Sequence, residues 1–382
     1  MTRHYLDHAS TSPPRPEVVT SMVQWLERGT AADPGRVHTE GRIARLVVEE
    51  QRSAVAELLG TRPRQLVFTS GGTEAVHSAV WGSWRARPAA PMAMAEVEHS
   101  SVRDAVSRLT EVRVLPVDSS GRIAVDALSD VLEDGARHAM LPSLVHCQWA
   151  NHEVGTLQPV REVVELCRAH GVGVHVDACA AAGHVPLSLD ELDADLVSVS
   201  AHKFGGPAGI GALVLRRGLR LEPLMVGGEQ ERARRGGLEN VAAIVGFGAT
   251  ATALLGDGGL AAEQERARRL TERLAQIALA VEGVHLLGDQ RRRLPHILCL
   301  AVDGVEAEPV LLGLDQAGIA AHSGSSCASE SLAPSPVLAA MGVDAERSLR
   351  LSVGWSSTEA DVDAFAVAFG PVVEALRGLR YS

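Results

Sequence analysis

The stretch DLVSVSAHKFGGP at residues 195–207 begins as an alternating apolar run and ends in a small polar turn. The alternation predicts a buried strand over Leu196–Ser200, which the Gly-Gly-Pro at 205–207 ends. Lys203 follows this strand, although a buried ammonium is costly unless it is paired or has lost its proton. A neutral amine is what an imine-forming lysine needs. A surface lysine just past a strand end is the alternative, and other parts of the chain must decide between the two.

Length, composition and charge limit the class of protein. A chain of 382 residues is long for one core and predicts two packed subdomains. The hydrophobic share of 46% is typical of a globular protein. The net charge of -11 and the scattered Lys and Arg argue against direct nucleic-acid binding. Since no apolar run reaches 18 residues and no apolar signal region opens the chain, we expect a cytoplasmic protein that does not span a membrane.

The five cysteines include no CxxC or other close pair. We therefore expect free thiols, with neither a disulfide framework nor a metal site. Their positions are Cys147, Cys167, Cys179, Cys299 and Cys327. The first four lie in more apolar surroundings than Cys327, and we expect them to be inert core thiols.

Strand and helix patterns alternate from about residue 16 to 250, which predicts an α/β fold with a mostly parallel sheet and helices on both faces. After residue 255 the pattern indicates a smaller α+β domain. We expect a large domain at 16–254, a small domain formed by 1–15 and 255–382, and a hinge at Gly256–Gly259. Ligands bind beyond the carboxyl ends of such strands, so residues just after strands are the candidates for a site.

Three other stretches follow predicted strands. The turn TSGGTE at 69–74 precedes a helix, so its backbone N–H groups favour an anion such as a phosphate; an ordinary turn capped by Thr73 is the alternative. His99 can stack on an aromatic ligand or lie on the surface beside a capping serine. Asp177 ends a strand, where it can pair with a pyridinium N–H or cap a helix. Together with Lys203, these groups are what pyridoxal phosphate requires.

At this point the residues match a known family. The chain resembles the NifS/IscS-type cysteine desulfurases, pyridoxal-phosphate enzymes of the class V aminotransferase family with fold type I. The resemblance covers nearly the whole length. It is carried by YLDHA at 5–9, VFTSGGTE at 67–74, NHEVG at 151–155, HVDA at 175–178, SAHK at 200–203, GGEQER at 227–232, SGSSC at 323–327 and LRLS at 349–352.

The resemblance implies a role for each matching residue. Lys203 would bind the cofactor and move the substrate Cα proton, Asp177 would hold the pyridinium nitrogen, and His99 would cover the ring. Cys327 would take the substrate sulfur as a persulfide, and Arg350 would bind the substrate carboxylate. The implied phosphate contacts are Gly72, Thr73, Ser200 and His202.

The family also implies L-cysteine as substrate, a homodimer, and a sulfur-acceptor protein such as a scaffold or a thio-modification enzyme. Another fold-type-I enzyme, such as a selenocysteine lyase, an aminotransferase or an epimerase, is one alternative. Aminotransferases and epimerases need no loop thiol, so the stretch that ends in Cys327 argues against them. A non-catalytic sulfur carrier or scaffold is the other alternative.

Four positions depart from the family pattern. Asp33 replaces an Asn that contacts the substrate carboxylate, and His152 replaces an Asn that contacts the cofactor. Ala180 replaces a Gln with a similar contact, and Leu238 replaces a Thr that reaches the partner subunit's phosphate. We expect His152 to remake the lost cofactor contact. These changes indicate a specialised branch, such as the DNA-phosphorothioation desulfurases or a supplier of sulfur to a secondary metabolite.

Overall fold

The computed structural model describes residues 2–29, 33–323 and 335–379. The strands are β1 His4–Tyr5, β2 Leu66–Thr69, β3 Met92–Ala95, β4 Val112–Leu115, β5 Leu144–Gln148, β6 Gly173–Asp177, β7 Leu196–Ser200, β8 Gly211–Leu215, β9 Val284–Leu287, β10 Ile297–Val302, β11 Ile319–Ala320 and β12 Ser348–Ser352.

The helices are α1 Pro16–Glu27, α2 Thr39–Leu58, α3 Gly72–Ala86, α4 Ser100–Ser107, α5 Val125–Arg137, α6 Val160–Ala169, α7 Leu189–Leu192, α8 Gln230–Ala233, α9 Val241–Leu255, α10 Leu260–Leu279, α11 Ala307–Gln316, α12 Pro336–Ala340 and α13 Glu359–Leu379. Taken singly, none of these helices is long and apolar enough to cross a membrane. The pair α9 and α10, with a bend of 79° between them, reaches the required length and apolar composition only when the two are taken together.

A seven-stranded sheet with the order β2-β8-β7-β6-β5-β3-β4 forms the centre of the fold. In this sheet β8 alone runs opposite to the other six strands, which confirms the predicted mostly parallel sheet. The long connection from β7 back to β8 carries Lys203, and Gly205 turns it with a φ of 89°, a conformation that favours glycine. The stretch quoted first is therefore a buried strand followed by a loop at the carboxyl edge of the sheet.

Buried side chains form three clusters. Alternate residues of the central strands belong to two of them, so each face of the large sheet has its own core. The third cluster combines Leu6 with side chains between residues 267 and 373 around a three-stranded antiparallel sheet, β12-β10-β9. Ile297 and Leu338 nevertheless pack in the first cluster, so the division of the chain at residues 15 and 254 stays a prediction.

Candidate active site

A cavity of about 230 Å³ lies where β2, β3, β5, β6 and β7 end. The turns after these strands provide its walls, as expected for a sheet whose strands run mostly in one direction. Eight of the residues proposed from the sequence line it, namely Gly72, Thr73, His99, His152, Asp177, Ser200, His202 and Lys203. The structure thus brings together side chains that are up to 131 positions apart (203 − 72).

Lys203 is largely enclosed by other groups. Its Nζ donates to the backbone carbonyl oxygens of Ala9 at 2.7 Å and Ser10 at 3.0 Å. Burial, helped by the charge of Arg350, lowers the pKa of the amine. A larger share of neutral amine at neutral pH favours attack on a carbonyl group, which separates Lys203 from a solvated surface lysine.

Asp177 ends β6 and is 7% exposed. Its Oδ1 accepts a hydrogen bond from the Cys179 backbone N–H at 2.9 Å. Its backbone carbonyl accepts from Trp149 N–H, which ties the end of β6 to the segment after β5. A buried carboxylate with so few donors is suited to a cationic N–H of a ligand in the cavity.

The start of α3 forms a narrow part of the cavity wall. A Cβ added to Gly72 would lie 2.6 Å from Cys179 Sγ and 3.3 Å from Ser200 Cβ, so only glycine fits without displacing them. The first N–H groups of this 15-residue helix lie here and favour an anion. His202 Nδ1 lies 3.1 Å from Thr11 Oγ1. Burial and Lys203 lower the pKa of His202 to about 4, so its imidazole is neutral near pH 7.

Two imidazoles lie on another side of the cavity. His99 caps α4 by accepting from the Ser101 N–H at 3.1 Å. The His152 ring packs edge-on against His99, with centroids 5.0 Å apart and an angle of 71° between the planes. His152 therefore occupies cavity wall next to the side chain expected to cover the cofactor ring, and Ala180 also lines the cavity.

Arg350 borders these residues through a bond from its Nη1 to the His152 carbonyl at 3.0 Å, whereas Asp33 lies in a separate turn. Arg350 is 1% exposed on β12, where its Nη2 contacts Asp7 Oδ1 at 2.9 Å. Asp33 is held in its own turn, because its carboxylate accepts from the Gly35 N–H and pairs with Arg36 at 2.9 Å. Neither residue lines the cavity. The substrate-binding roles of both stay predictions.

Two further positions named from the sequence are Leu238 and Cys327. Leu238 is 61% exposed and lies in a separate groove with Ser70 and Arg235. Cys327 lies outside the described residues, so its role as nucleophile also stays a prediction.

One expectation about the other cysteines was wrong. Cys179 is no core thiol: it lines the same cavity as Lys203. Its position two residues after Asp177 at a strand end was the signal for this location. Ser101 and Gln148 also line the cavity, and neither was predicted as a site residue.

The residues present fit pyridoxal phosphate. The glycine cradle at the start of α3 provides anion-binding N–H groups, Lys203 provides an amine of lowered pKa, and Asp177 provides a buried carboxylate. Within the part of the chain that the structure describes, no group of three or more His, Cys, Asp or Glu side chains could hold a metal ion.

Comparisons with known proteins agree with this site. The aminotransferase class-V family description matches residues 4–365. An IscS-like cysteine desulfurase of Mycobacterium tuberculosis is 41% identical, over 98% of this chain and 97% of its own length. The crystal structure of a NifS-like protein from Rickettsia africae has a TM-score of 0.88 at 28% identity, with 97% and 99% of the two chains covered.

A solved structure described as SspA in complex with cysteine has a TM-score of 0.80 at 26% identity, with 93% of this chain and all of that chain covered. The matches extend over both the large sheet and the C-terminal elements. The chain therefore belongs to the aminotransferase class-V family, as a relative of the IscS-like and NifS-like cysteine desulfurases.

Proposed function

We propose that this chain is a cysteine desulfurase that uses pyridoxal phosphate to convert L-cysteine into L-alanine. The observation that most directly supports this proposal is that Lys203, an amine of lowered pKa, lines one cavity together with Asp177 and His99. The resemblance to relatives described as cysteine desulfurases, and to a structure that contains cysteine, supports the choice of substrate.

Each residue has a defined task in this proposal. When bound, pyridoxal phosphate supplies a sink for the electrons released at the substrate Cα. Lys203 removes and returns protons, for which a lowered pKa is suited. Asp177 holds a proton on the ring nitrogen through its buried carboxylate, and Arg350 binds the substrate carboxylate. Gly72, Thr73, Ser200 and His202 hold the phosphate.

The sulfur transfer requires a thiolate. In the proposal, the Cys327 thiolate attacks the substrate sulfur, a sulfur–sulfur bond forms, and the substrate carbon–sulfur bond breaks. The electron pair of the broken bond stays on the carbon that becomes the alanine methyl group after protonation. One cysteine and one enzyme thiol thus give one alanine and one enzyme persulfide, and no oxidant or reductant is needed.

The decisive experiment measures alanine release from L-cysteine by the protein loaded with pyridoxal phosphate. We expect stoichiometric alanine in the first turnover, and sustained turnover with a thiol reductant. Lys203→Ala should abolish both, and it should also abolish the visible absorbance of the lysine-bound cofactor. Wild-type protein that binds the cofactor but releases no alanine would contradict the proposal. Alanine release from selenocysteine alone would instead indicate a selenocysteine lyase.

We also propose a homodimer. Val19, Val23 and Leu26 follow one another at helical spacing on α1, and their exposed fractions are 51%, 45% and 63%. Exposed apolar stripes of this kind mark interfaces. A second copy of the chain would cover this face. The persulfide would then pass to an acceptor protein in the cytoplasm.

Light scattering tests the dimer. Val23→Asp should convert the protein to monomers of 40.3 kDa. Val367→Asp serves as the matched control, because Val367 is a solitary residue on α13 with 77% exposure. A wild-type monomer at micromolar concentration would contradict this proposal.

A further inference from the structure

The guanidinium of Arg350 is already engaged inside the protein. Its Nη2 donates to Asp7 Oδ1 at 2.9 Å and to Ser10 Oγ at 2.7 Å, which accounts for both hydrogens on that nitrogen. Nη1 donates to the backbone carbonyl of His152 at 3.0 Å. The buried Nε has no hydrogen-bond partner among the described residues.

This occupancy limits how a carboxylate can bind. A guanidinium offers two edges for bidentate binding, one formed by Nε and Nη2 and the other by Nη1 and Nη2. Both edges include Nη2. A ligand carboxylate can therefore form two parallel hydrogen bonds with Arg350 only if Asp7 or Ser10 gives up its place on Nη2.

We propose that Asp7 is an internal competitor for Arg350, which a carboxylate ligand must displace from Nη2 in order to bind bidentately. Asp7 positions the arginine and weakens carboxylate binding. The ligand class is a small α-amino acid or its carboxylate fragment. This inference deepens the proposed function and rests on it for the identity of the natural ligand.

The same segment also holds Lys203. Ser10 Oγ donates to Asp7 Oδ1 at 2.9 Å, so the serine and the aspartate move together. The carbonyl oxygens of Ala9 and Ser10 accept from Lys203 Nζ, and Ser12 Oγ donates to the Lys203 carbonyl at 3.1 Å. Displacement of Asp7 would therefore loosen the segment that holds the free amine of Lys203 before it binds the cofactor. Carboxylate binding and lysine mobility are coupled through residues 7–12.

Calorimetric titration with propionate tests the competition. Propionate has the three carbons of the substrate but lacks the amine, so it cannot displace Lys203 from the cofactor. We use the protein loaded with pyridoxal phosphate. Asp7→Asn should bind propionate about tenfold more tightly than wild type, because a charged acceptor no longer competes. Ser10→Ala should give a smaller gain, about threefold, since it frees one Nη2 hydrogen and leaves the charge.

Controls isolate the arginine. Arg350→Gln should abolish propionate binding when it is introduced alone and when it is combined with Asp7→Asn or Ser10→Ala. Propionamide, which has the same shape without the charge, should not bind more tightly to Asp7→Asn. If Asp7→Asn fails to fold, Ser10→Ala still carries the test. Unchanged or weaker propionate binding by the folded variants would overturn the inference, as would wild-type binding that survives Arg350→Gln.

Hydrogen exchange provides a second readout that a structural role would not move. The Ala9 N–H is held by Ser352 Oγ at 2.8 Å and the Ser12 N–H by the His202 carbonyl at 2.8 Å. Propionate should speed exchange of these amides, although ligands usually slow it; slower or unchanged exchange counts against the inference. Neither measurement requires turnover. Tighter binding without alanine release would leave the inference intact and remove the proposed function, and the reverse pattern would remove the inference alone.

Discussion

Four of the five thiols lie in the described part of the chain, and burial raises the pKa of each. The values for Cys167 and Cys299 reach about 12, and those of Cys147 and Cys179 are raised well above the usual range. All four are therefore neutral at pH 7, and a neutral thiol is a poor nucleophile. Cys179 lines the cavity but lacks the reactivity that sulfur transfer requires.

Because these four thiols are neutral, we predict that the persulfide forms on Cys327. Cys179→Ala should form the persulfide at a rate within about threefold of wild type, since its thiol does not ionise. Cys327→Ser should form none. Mass spectrometry of peptides after incubation with L-cysteine measures both. A persulfide on the Cys179 peptide of wild-type protein would contradict the assignment to Cys327.

The site residues whose position could be predicted from the sequence are those at strand ends. Lys203, Asp177 and His99 could be predicted to meet because the carboxyl ends of parallel strands share one edge of a sheet. The contact between Asp7 and Arg350 could not, since it joins positions 343 apart through a bridge between the N-terminal segment and β12. No periodicity encodes such a pairing.

The free edge of β2 is closed by two side chains in place of a strand. Arg52 Nη1 donates to the Leu66 carbonyl at 3.1 Å, and Glu231 Oε2 accepts from the Phe68 N–H at 3.0 Å. The two side chains also pair with each other through two bonds of 2.7 Å, and both are buried. An ion pair thus satisfies backbone groups that an edge strand leaves open.

Breaking this pair should destabilise the fold. Arg52→Met leaves the Glu231 carboxylate buried and unpaired, which we expect to cost about 3–5 kcal/mol of unfolding free energy. Glu49→Gln is the matched control. It removes a carboxylate, 37% exposed, that also contacts Arg52, and should cost no more than about 1 kcal/mol. Urea denaturation measures both. Equal effects would show that burial of the pair is immaterial.

Two residues after the end of α5 at Arg137, the chain has a backbone conformation that is unusual for its residue type. Ala139 has a φ of 54°, and the following Met140 N–H bonds to the Gly135 carbonyl at 2.8 Å. A left-handed residue after a helix is usually glycine, because Cβ clashes there. Gly171, with a φ of 67°, follows α6 in the same conformation.

We therefore expect Ala139→Gly to stabilise the protein by about 1 kcal/mol. Ala262→Gly, at an exposed site inside α10, should destabilise it by a similar amount, roughly 0.5–1 kcal/mol. Thermal denaturation of the two variants measures the opposite signs. A loss of stability in both would rule out relief of backbone strain at Ala139.

Element ends show how far the sequence was informative. A glycine such as Gly171 commonly follows the last turn of a helix, and α6 ends two residues before it, at Ala169. For α5 the alanine at position 139 carries no such signal, so its end could not be derived. The strands at Met92 and Val112 end two residues before the apolar runs do, because Val97 and Val117 pack as loop residues against the core. Apolar composition does not distinguish a strand from a buried loop.

Within the part of the chain that the structure describes, burial lowers the pKa of six histidines. The pKa falls to about 4 for four of them and well below the usual value for the other two. The first four are His8, His175, His184 and His202, and the other two are His146 and His296. One buried carboxyl group acts in the opposite direction: burial raises the pKa of Glu98 to about 8.

These histidines predict acid sensitivity. Between pH 6.5 and 4 the unfolded chain binds protons at imidazoles that the folded chain keeps neutral. The contribution of these histidines to stability is therefore complete above pH 6.5 and is lost as the pH falls toward 4. Glu98 binds a proton in the folded state between pH 4.5 and 8, so it offsets one histidine in this range. Each net proton changes the unfolding free energy by about 1.4 kcal/mol per pH unit.

Urea denaturation at a series of pH values tests this. We expect unfolding to take up at least about two protons between pH 6.5 and 4.5, a slope of roughly 3 kcal/mol per pH unit. His146→Gln keeps a polar group beside His175, 2.9 Å from it in the wild type, and removes one titrating site. Its slope should be smaller by about one proton, while its stability at pH 8 changes little. A wild-type slope near zero would mean that the buried imidazoles take up protons without unfolding, and a variant slope equal to that of the wild type would exclude His146 from the set.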